Sequence, residues 1–235
     1  AHAFLLRCRR MVNRIASRLP IIAFAPALLE ALYSAPVIVV QAETGSGKST
    51  QIPPLLVDAA PAPLRVLLSQ PRKIAAIALA HRMAMEWGCA VGGEVGCDVG
   101  GVADAADGSG SDRRVTDATR ITVTTDYQLL KLVQRGIDVL AAACDVIIID
   151  EAHERSVDTD LVLGSLCSLL TAAKATGARV PRIVVMSATL QAQTFVDFFG
   201  GTASGNVRVH EVKGRLYPLT IVHQEPMWRD GDEIN

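Results

Sequence analysis

A glycine-rich loop ending in lysine and serine most tightly constrains what this chain can fold into. Ala42-Glu43-Thr44-Gly45-Ser46-Gly47-Lys48-Ser49 follows the β-branched run Val37-Ile38-Val39-Val40 and precedes the helix-compatible Thr50-Gln51-Ile52. Strand, glycines, then a helix start is the arrangement that cradles phosphate. Gly45 and Gly47 let the backbone curl so that its N–H groups point inward, and the helix N-terminus adds partial positive charge. The full pattern is G-x-x-x-x-G-K-[ST], and Ala42 stands where it has its first glycine, a mild change at the loop entrance. Lys48 is expected to reach the β- and γ-phosphates, and the Ser49 hydroxyl to ligate Mg²⁺. Thr44, Gly45, Ser46, Gly47 and Thr50 complete the expected phosphate-binding set. The bland alternative, a glycine turn with an incidental lysine, does not account for the flanking strand and helix. Pro53 and Pro54 predict a helix that is short, kinked, or carries proline in its first turns.

Asp150-Glu151-Ala152-His153 stands directly after the apolar run Val146-Ile147-Ile148-Ile149. A parallel strand ending there delivers Asp150 to the carboxyl edge of a sheet, where ligands bind in open α/β folds. Asp150 is then a candidate Mg²⁺ ligand, and Glu151 the candidate for polarising an attacking water. In isolation such a pair can be a solvated turn; the phosphate loop upstream argues for chemistry. His153 beside Glu154 does not make a zinc site, which needs three or four ligands at workable spacing.

Strands are expected at 37–41, 65–69, 120–124, 146–150, 182–186, 207–212 and 219–223. Most are continuous apolar runs, as in strands buried on both faces. Helical patterns lie between them. Residues 74–87 set Ile74, Ile77, Ala78 and Met85 near one face. Residues 126–135 do so with Leu129, Leu130 and Val133, and 159–173 carry Leu161, Leu166, Leu169 and Leu170. Alternating strand and helix imply a mostly parallel sheet with helices on both faces. Residues 103–114 and 200–205 read as loops.

The motifs together resemble a known family. Glu43 to Pro53 resembles motif I of the DEAH-box helicases, a branch of helicase superfamily 2. Ser69-Gln70-Pro71-Arg72-Lys73-Ile74-Ala75-Ala76 resembles their motif Ia, Asp150 to Ser156 their motif II, and Ser187-Ala188-Thr189-Leu190 their motif III. The resemblance implies a RecA-like P-loop NTPase domain using ATP and Mg²⁺, with Lys48, Asp150 and the general base Glu151 as the catalytic set. It implies that Arg82 packs against adenine. Arg72, Lys73, Thr125 and Asp126 would contact a nucleic-acid backbone, single-stranded RNA above all. His153, Ser187 and Thr189 would couple nucleotide state to nucleic-acid binding. Two departures concern nucleic-acid contact: Cys97, Gly100 and Gly101 replace an expected aromatic and arginine, and Tyr127 stands where glycine is common.

The resemblance further implies an ATP-dependent RNA helicase whose second RecA-like domain supplies arginine fingers. The chain has no initiating methionine, so Ala1 is not expected to be a native terminus. Residues 1–19 are read as an Arg-rich extension, 20–223 as the ATP-binding domain, and 224–235 as the start of a linker to the second domain. Without fingers, the chain is expected to bind nucleotide and hydrolyse it slowly. The rival readings are a P-loop NTPase of another class and a catalytically inactive binding module.

Composition bounds the rest. Aromatics make up 4% of the 235 residues and the net charge is −1. Aromatic base-stacking platforms are therefore not the advertised binding mode, and phosphate contacts must come from local clusters. Arg7, Arg9, Arg10, Arg14 and Arg18 form one such cluster before the first acidic residue, Glu30. The favoured reading is an amphipathic helix packed on the domain with solvated arginines. Nucleic-acid binding, or part of an organelle-targeting segment, stays open. Five cysteines show no Cys-x-x-Cys spacing. That argues for a reducing compartment, cytosol or nucleus, with a mitochondrial address left open by the arginines. No apolar run reaches the roughly 18 residues of a membrane span.

Overall fold

The computed structural model describes residues 2–100, 113–188, 192–214 and 222. In chain order the helices and strands are α1 (His2–Ser17), α2 (Pro20–Ala23), α3 (Ala25–Ser34), β1 (Val37–Ala42), α4 (Lys48–Ala59), β2 (Val66–Gln70), α5 (Lys73–Trp87), β3 (Val95–Asp98) and β4 (Arg113–Arg114). They continue with β5 (Ile121–Thr125), α6 (Asp126–Gln134), α7 (Ile137–Ala143), β6 (Val146–Ile149), α8 (Val157–Thr176), β7 (Arg182–Ser187), α9 (Ala192–Phe198) and β8 (Val207–Val212). Among the described residues the strands form one sheet in the order β4-β3-β5-β2-β6-β7-β1-β8. All neighbours are parallel except β3 and β4.

The continuous apolar strands are explained by burial on both faces. Ile38, Val40 and Ile148 point into one core with Leu28, Ile52, Leu56 and Met83. Val37, Val39, Ile147 and Ile149 point into the other with Leu129, Val162, Leu166 and Phe195. Helices thus cover both faces, and the expected RecA-like α/β architecture stands. No helix among the described residues is long and apolar enough to cross a membrane.

Sheet order matters more to function than chain order. β7 lies between β1 and β6, in register with both. The loop after β1 and the turn after β6 therefore open on the same carboxyl edge, one strand apart.

Several expectations need correction. α5 does not bury Ile74 and Met85, which are 84% and 66% exposed; Ala76, Ala80, Met83, Ala84 and Trp87 face the core. At about 100° per residue, position 76 lies some 200° from 74. The helix turned its small side inward, and the alanines let it sit close on the sheet. Likewise Leu161 of α8 is 51% exposed, while Val162, Leu163 and Leu166 are buried.

As one of the expected alternatives has it, Pro53 and Pro54 lie in the early turns of α4, both buried inside its 12 residues. β3 was not anticipated, since Gly96 interrupts its apolar pattern. A side chain there would strike the Arg114 carbonyl at 2.7 Å and Thr119 at 2.8 Å, so the glycine permits the close packing of β3 on its neighbours. Arg113–Arg114, expected in a loop, pair with β3 instead. Residues 103–112 of that loop, the linker at 224–235 and the strand expected at 219–223 (save Val222) lie outside the described residues.

The arginines of α1 are not all solvated. Arg10 and Arg14 both bind the carboxylate of Asp58, with side chains only 11% and 12% exposed. The Arg10 guanidinium also lies 4.0 Å over the Trp87 ring, and Arg7 bonds the Asp58 carbonyl. Phe4, Leu5, Met11, Val12 and Ile15 face outward as a consequence. A carboxylate and an indole on the domain surface match guanidinium better than aliphatic groups.

Candidate nucleotide site

The loop after β1 is held open by its glycines. Gly45 and Gly47 have φ of 81° and 88°, the left-handed region that costs glycine little. At Gly47 a Cβ would come within 2.8 Å of the Leu19 side chain. The loop backbone is pinned by Ser46 N–H donating to the Glu43 carbonyl at 3.2 Å. Its Ser46 carbonyl accepts from Ile21 N–H, also at 3.2 Å, which ties the loop to α2. Lys48 opens α4 and is buried. Ser49, Thr50 and Gln51 follow in the first turn.

Across the carboxyl edge, Asp150 is fully buried at the end of β6. Gln70, the last residue of β2, donates its side-chain amide to the Asp150 carboxylate. Glu151 has φ 50° and ψ 35°, a left-handed conformation that costs a non-glycine residue about 1–3 kcal/mol. That turn brings Glu151 to Lys48: Nζ donates to Oε1 at 3.0 Å, joining residues 103 apart in the chain.

Burial pushes the Asp150 carboxyl up to about 6, opposed by the Ser49 hydroxyl that donates to it and by the Lys48 charge. A buried carboxylate beside a serine hydroxyl, both at the mouth of an anion cradle, is a fitting oxygen donor pair for Mg²⁺. The ion would hold Asp150 ionised against its burial. Thr44 and Gly45 are exposed on the loop, and Ser46 is buried.

The other expected residues fall into three groups. His153 joins the acidic turn to the end of β7: its Nδ1 accepts from Ala188 N–H at 3.4 Å and stands 3.4 Å from Glu151 Oε2. Ser187 is buried at the end of β7, and Thr189 lies outside the described residues. Arg72 and Lys73 are exposed at the start of α5, with Arg72 paired to Glu154 at 3.2 Å. Arg82 is exposed on α5 and paired to Glu86 at 2.6 Å.

The side chains of Thr125 and Asp126 are engaged within the fold. Thr125 caps α6, its hydroxyl accepting from Gln128 N–H. Asp126 is 2% exposed and accepts from the Thr159 hydroxyl, holding α6 to α8. Any contact of this turn with a phosphate backbone would fall to its main chain and not to the Asp126 carboxylate. Gln70 is the residue that sequence reasoning left without a role. Its signal was its place at the end of an apolar strand, but only sheet order puts that end beside Asp150.

A parallel sheet with an anion cradle after one strand and an acidic pair after another defines a RecA-like P-loop nucleotide-binding domain. The sequence profile of the DEAD/DEAH box helicases matches residues 24–198. The probable ATP-dependent RNA helicase DHR2 of Saccharomyces cerevisiae is 39% identical over 205 residues, 86% of this chain and 25% of DHR2. The ATP-dependent RNA helicase HrpA of Borreliella burgdorferi is 32% identical over 89% of this chain and 23% of HrpA. Human DHX34, a probable ATP-dependent RNA helicase, is 33% identical over 91% of this chain and 16% of DHX34. This chain belongs to the DEAD/DEAH box helicase family. It spans about a quarter or less of the length of these curated relatives.

Proposed function

We propose that this domain binds ATP with Mg²⁺ and serves as the hydrolytic half of an ATP-driven RNA helicase or RNA–protein remodeller. The observation that carries the reading is the contact of Lys48 with Glu151 at 3.0 Å. It couples the phosphate-binding cation to the candidate base at one sheet edge. Phosphates entering the cradle draw Lys48 away from Glu151 and leave that carboxylate free. Glu151, with a side chain 26% exposed, then orients the water that attacks the γ-phosphate and accepts its proton. Ser49 and Asp150 would hold Mg²⁺, which would supply charge neutralisation at the phosphate oxygens when bound. Thr44, Gly45, Ser46, Gly47 and Thr50 line the phosphate path, and Arg82 stacks on the base.

The exposed Arg72 and Lys73 support contact with the backbone of single-stranded RNA. The contact of His153 with Ala188 supports a coupling role for His153, Ser187 and Thr189. A second RecA-like domain elsewhere in the protein would close the site with arginine fingers, which are worth roughly 10³–10⁵ in rate. The five free thiols fit a reducing compartment, cytosol or nucleus.

The test is ATP turnover by the full-length protein, with and without single-stranded RNA, beside Glu151→Gln. RNA-stimulated turnover that disappears in the variant is the expected result. Turnover indifferent to RNA points to another P-loop class, and turnover surviving in Glu151→Gln removes the base assignment.

A further inference from the structure

Helix α1 lies outside the matched family region, yet it reaches the candidate nucleotide site. A cavity of about 340 Å³ opens between α1, α4 and α5. Thr50 and Gln51 of α4 line it, immediately after the Lys48-Ser49 pair of the cradle. Arg82 and Glu86 of α5 form a second wall, and Asn13, Arg14 and Ser17 of α1 a third. Leu19, which leads out of α1, lines the same cavity and packs on the Gly47 backbone.

We propose that α1 forms the outer wall of the pocket for the nucleoside of a purine nucleotide, with Asn13 as a specificity-determining residue. The proposal rests on the nucleotide reading above. Three features carry it. The cavity is lined by Thr50 and Gln51, the two residues after Lys48 and Ser49, so a nucleotide whose phosphates sit in the cradle has its base and ribose within reach of it. Its α5 wall is pre-set, because Glu86 accepts from Arg82 Nε at 2.6 Å and from the Gln51 amide at 2.8 Å. That fixes a flat guanidinium on which a purine can stack. The α1 wall is anchored: Arg10 binds Asp58 through Nε at 3.1 Å and Nη2 at 2.6 Å, and Arg14 adds a third bond to that carboxylate at 2.5 Å.

The chemistry of the α1 wall is polar. Asn13 is exposed and makes no hydrogen bond to the described residues. Its amide carries both donors and an acceptor, which suit the edge of a purine or a ribose hydroxyl. The Ser17 hydroxyl is already committed to the Arg14 carbonyl at 2.6 Å, which leaves Asn13 as the readout group. Asp58 touches neither phosphate nor base in this scheme and acts by positioning α1.

The experiment is calorimetric titration of this chain with Mg-ATP and, separately, with Mg-bound inorganic triphosphate. Wild type is compared with Asn13→Ala and Asp58→Ala. Both variants are expected to weaken ATP about fivefold, one lost hydrogen bond's worth, with triphosphate affinity held within twofold. Equal ATP affinity in wild type and Asn13→Ala, an exposed substitution that leaves the fold intact, overturns the proposal. Parallel loss of both ligands also overturns it, since α1 then acts through the loop and not the base. Wild type that binds triphosphate but gains nothing from the nucleoside sinks the pocket alone. Wild type that binds neither ligand sinks the nucleotide reading, and the pocket with it.

Discussion

Gln70 and Asp150 end neighbouring parallel strands, and the Gln70 amide donates to the buried Asp150 carboxylate. This is the contact that aims the carboxylate. Hydrogen bonds to charged groups contribute roughly 1.5–3 kcal/mol. Gln70→Ala is therefore expected to cut the Mg²⁺-dependent part of ATP affinity about tenfold, with little change in the Mg²⁺-free part. Titrations with and without Mg²⁺ check it. An unchanged metal increment would show that Gln70 is only a strand end.

Lys48 and Glu151 should separate cleanly by readout. Lys48→Ala removes the only described contact of Glu151 with a lysine or arginine and, on the proposed roles, the phosphate-binding cation. ATP affinity of the chain is expected to fall at least tenfold, a loss of about 1.4 kcal/mol or more. Glu151→Gln should keep ATP affinity within a few-fold while turnover of the full-length protein drops about 10²–10⁴-fold. Binding and single-turnover assays on the two variants test the split. Equal loss of binding in both would merge the two roles.

Asp126 carries a cost that depends on pH. Burial raises its carboxyl above the ordinary 3.8, partly opposed by the Thr159 hydroxyl. Below the unfolded value both states hold the proton and no cost arises. As pH climbs from there through the raised native value, the unfolded chain releases its proton first, so stability falls. Above that window the cost is constant. Asp126→Asn keeps an acceptor for Thr159 and has no such fall. Its stability relative to wild type should rise between pH 4 and pH 7 in urea titrations at fixed salt. A difference that stays flat with pH would mean that the carboxyl is not perturbed.

Thiol reactivity should follow burial. Cys8 is exposed, whereas Cys144 is buried and its thiol is pushed up to about 12, mainly by burial. Only thiolate reacts, so iodoacetamide at pH 8 should label Cys8 at least tenfold faster than Cys144. Mass spectrometry of timed digests measures the ratio. Early labelling of Cys144 would imply that the α7–β6 junction opens.

The phosphate loop, the acidic pair and most strands were legible because their chemistry is local. Gly45, Gly47, Lys48 and Ser49 must be adjacent to build a cradle, and a strand buried on both faces must be apolar throughout. The side-chain partners of Asp126 and Thr125 were not legible for the opposite reason. A short polar pair after a strand looks the same whether it faces a ligand or caps a helix. The α5 face failed similarly, since apolar residues lay on both of its sides and only contact with the sheet chose the alanine side.

By itself the sequence determined the fold class and the loop conformations that demand glycine, and it singled out Lys48, Ser49, Asp150 and Glu151 as the candidate set. Those properties reside in residues next to one another. Tertiary structure alone decided that β7 separates β1 from β6 and that Gln70 aims Asp150. It alone turned the arginines of α1 inward to Asp58 and Trp87. Each of these joins groups far apart along the chain, and a contact between distant residues depends on how sheet order and helix rotation bury the whole core.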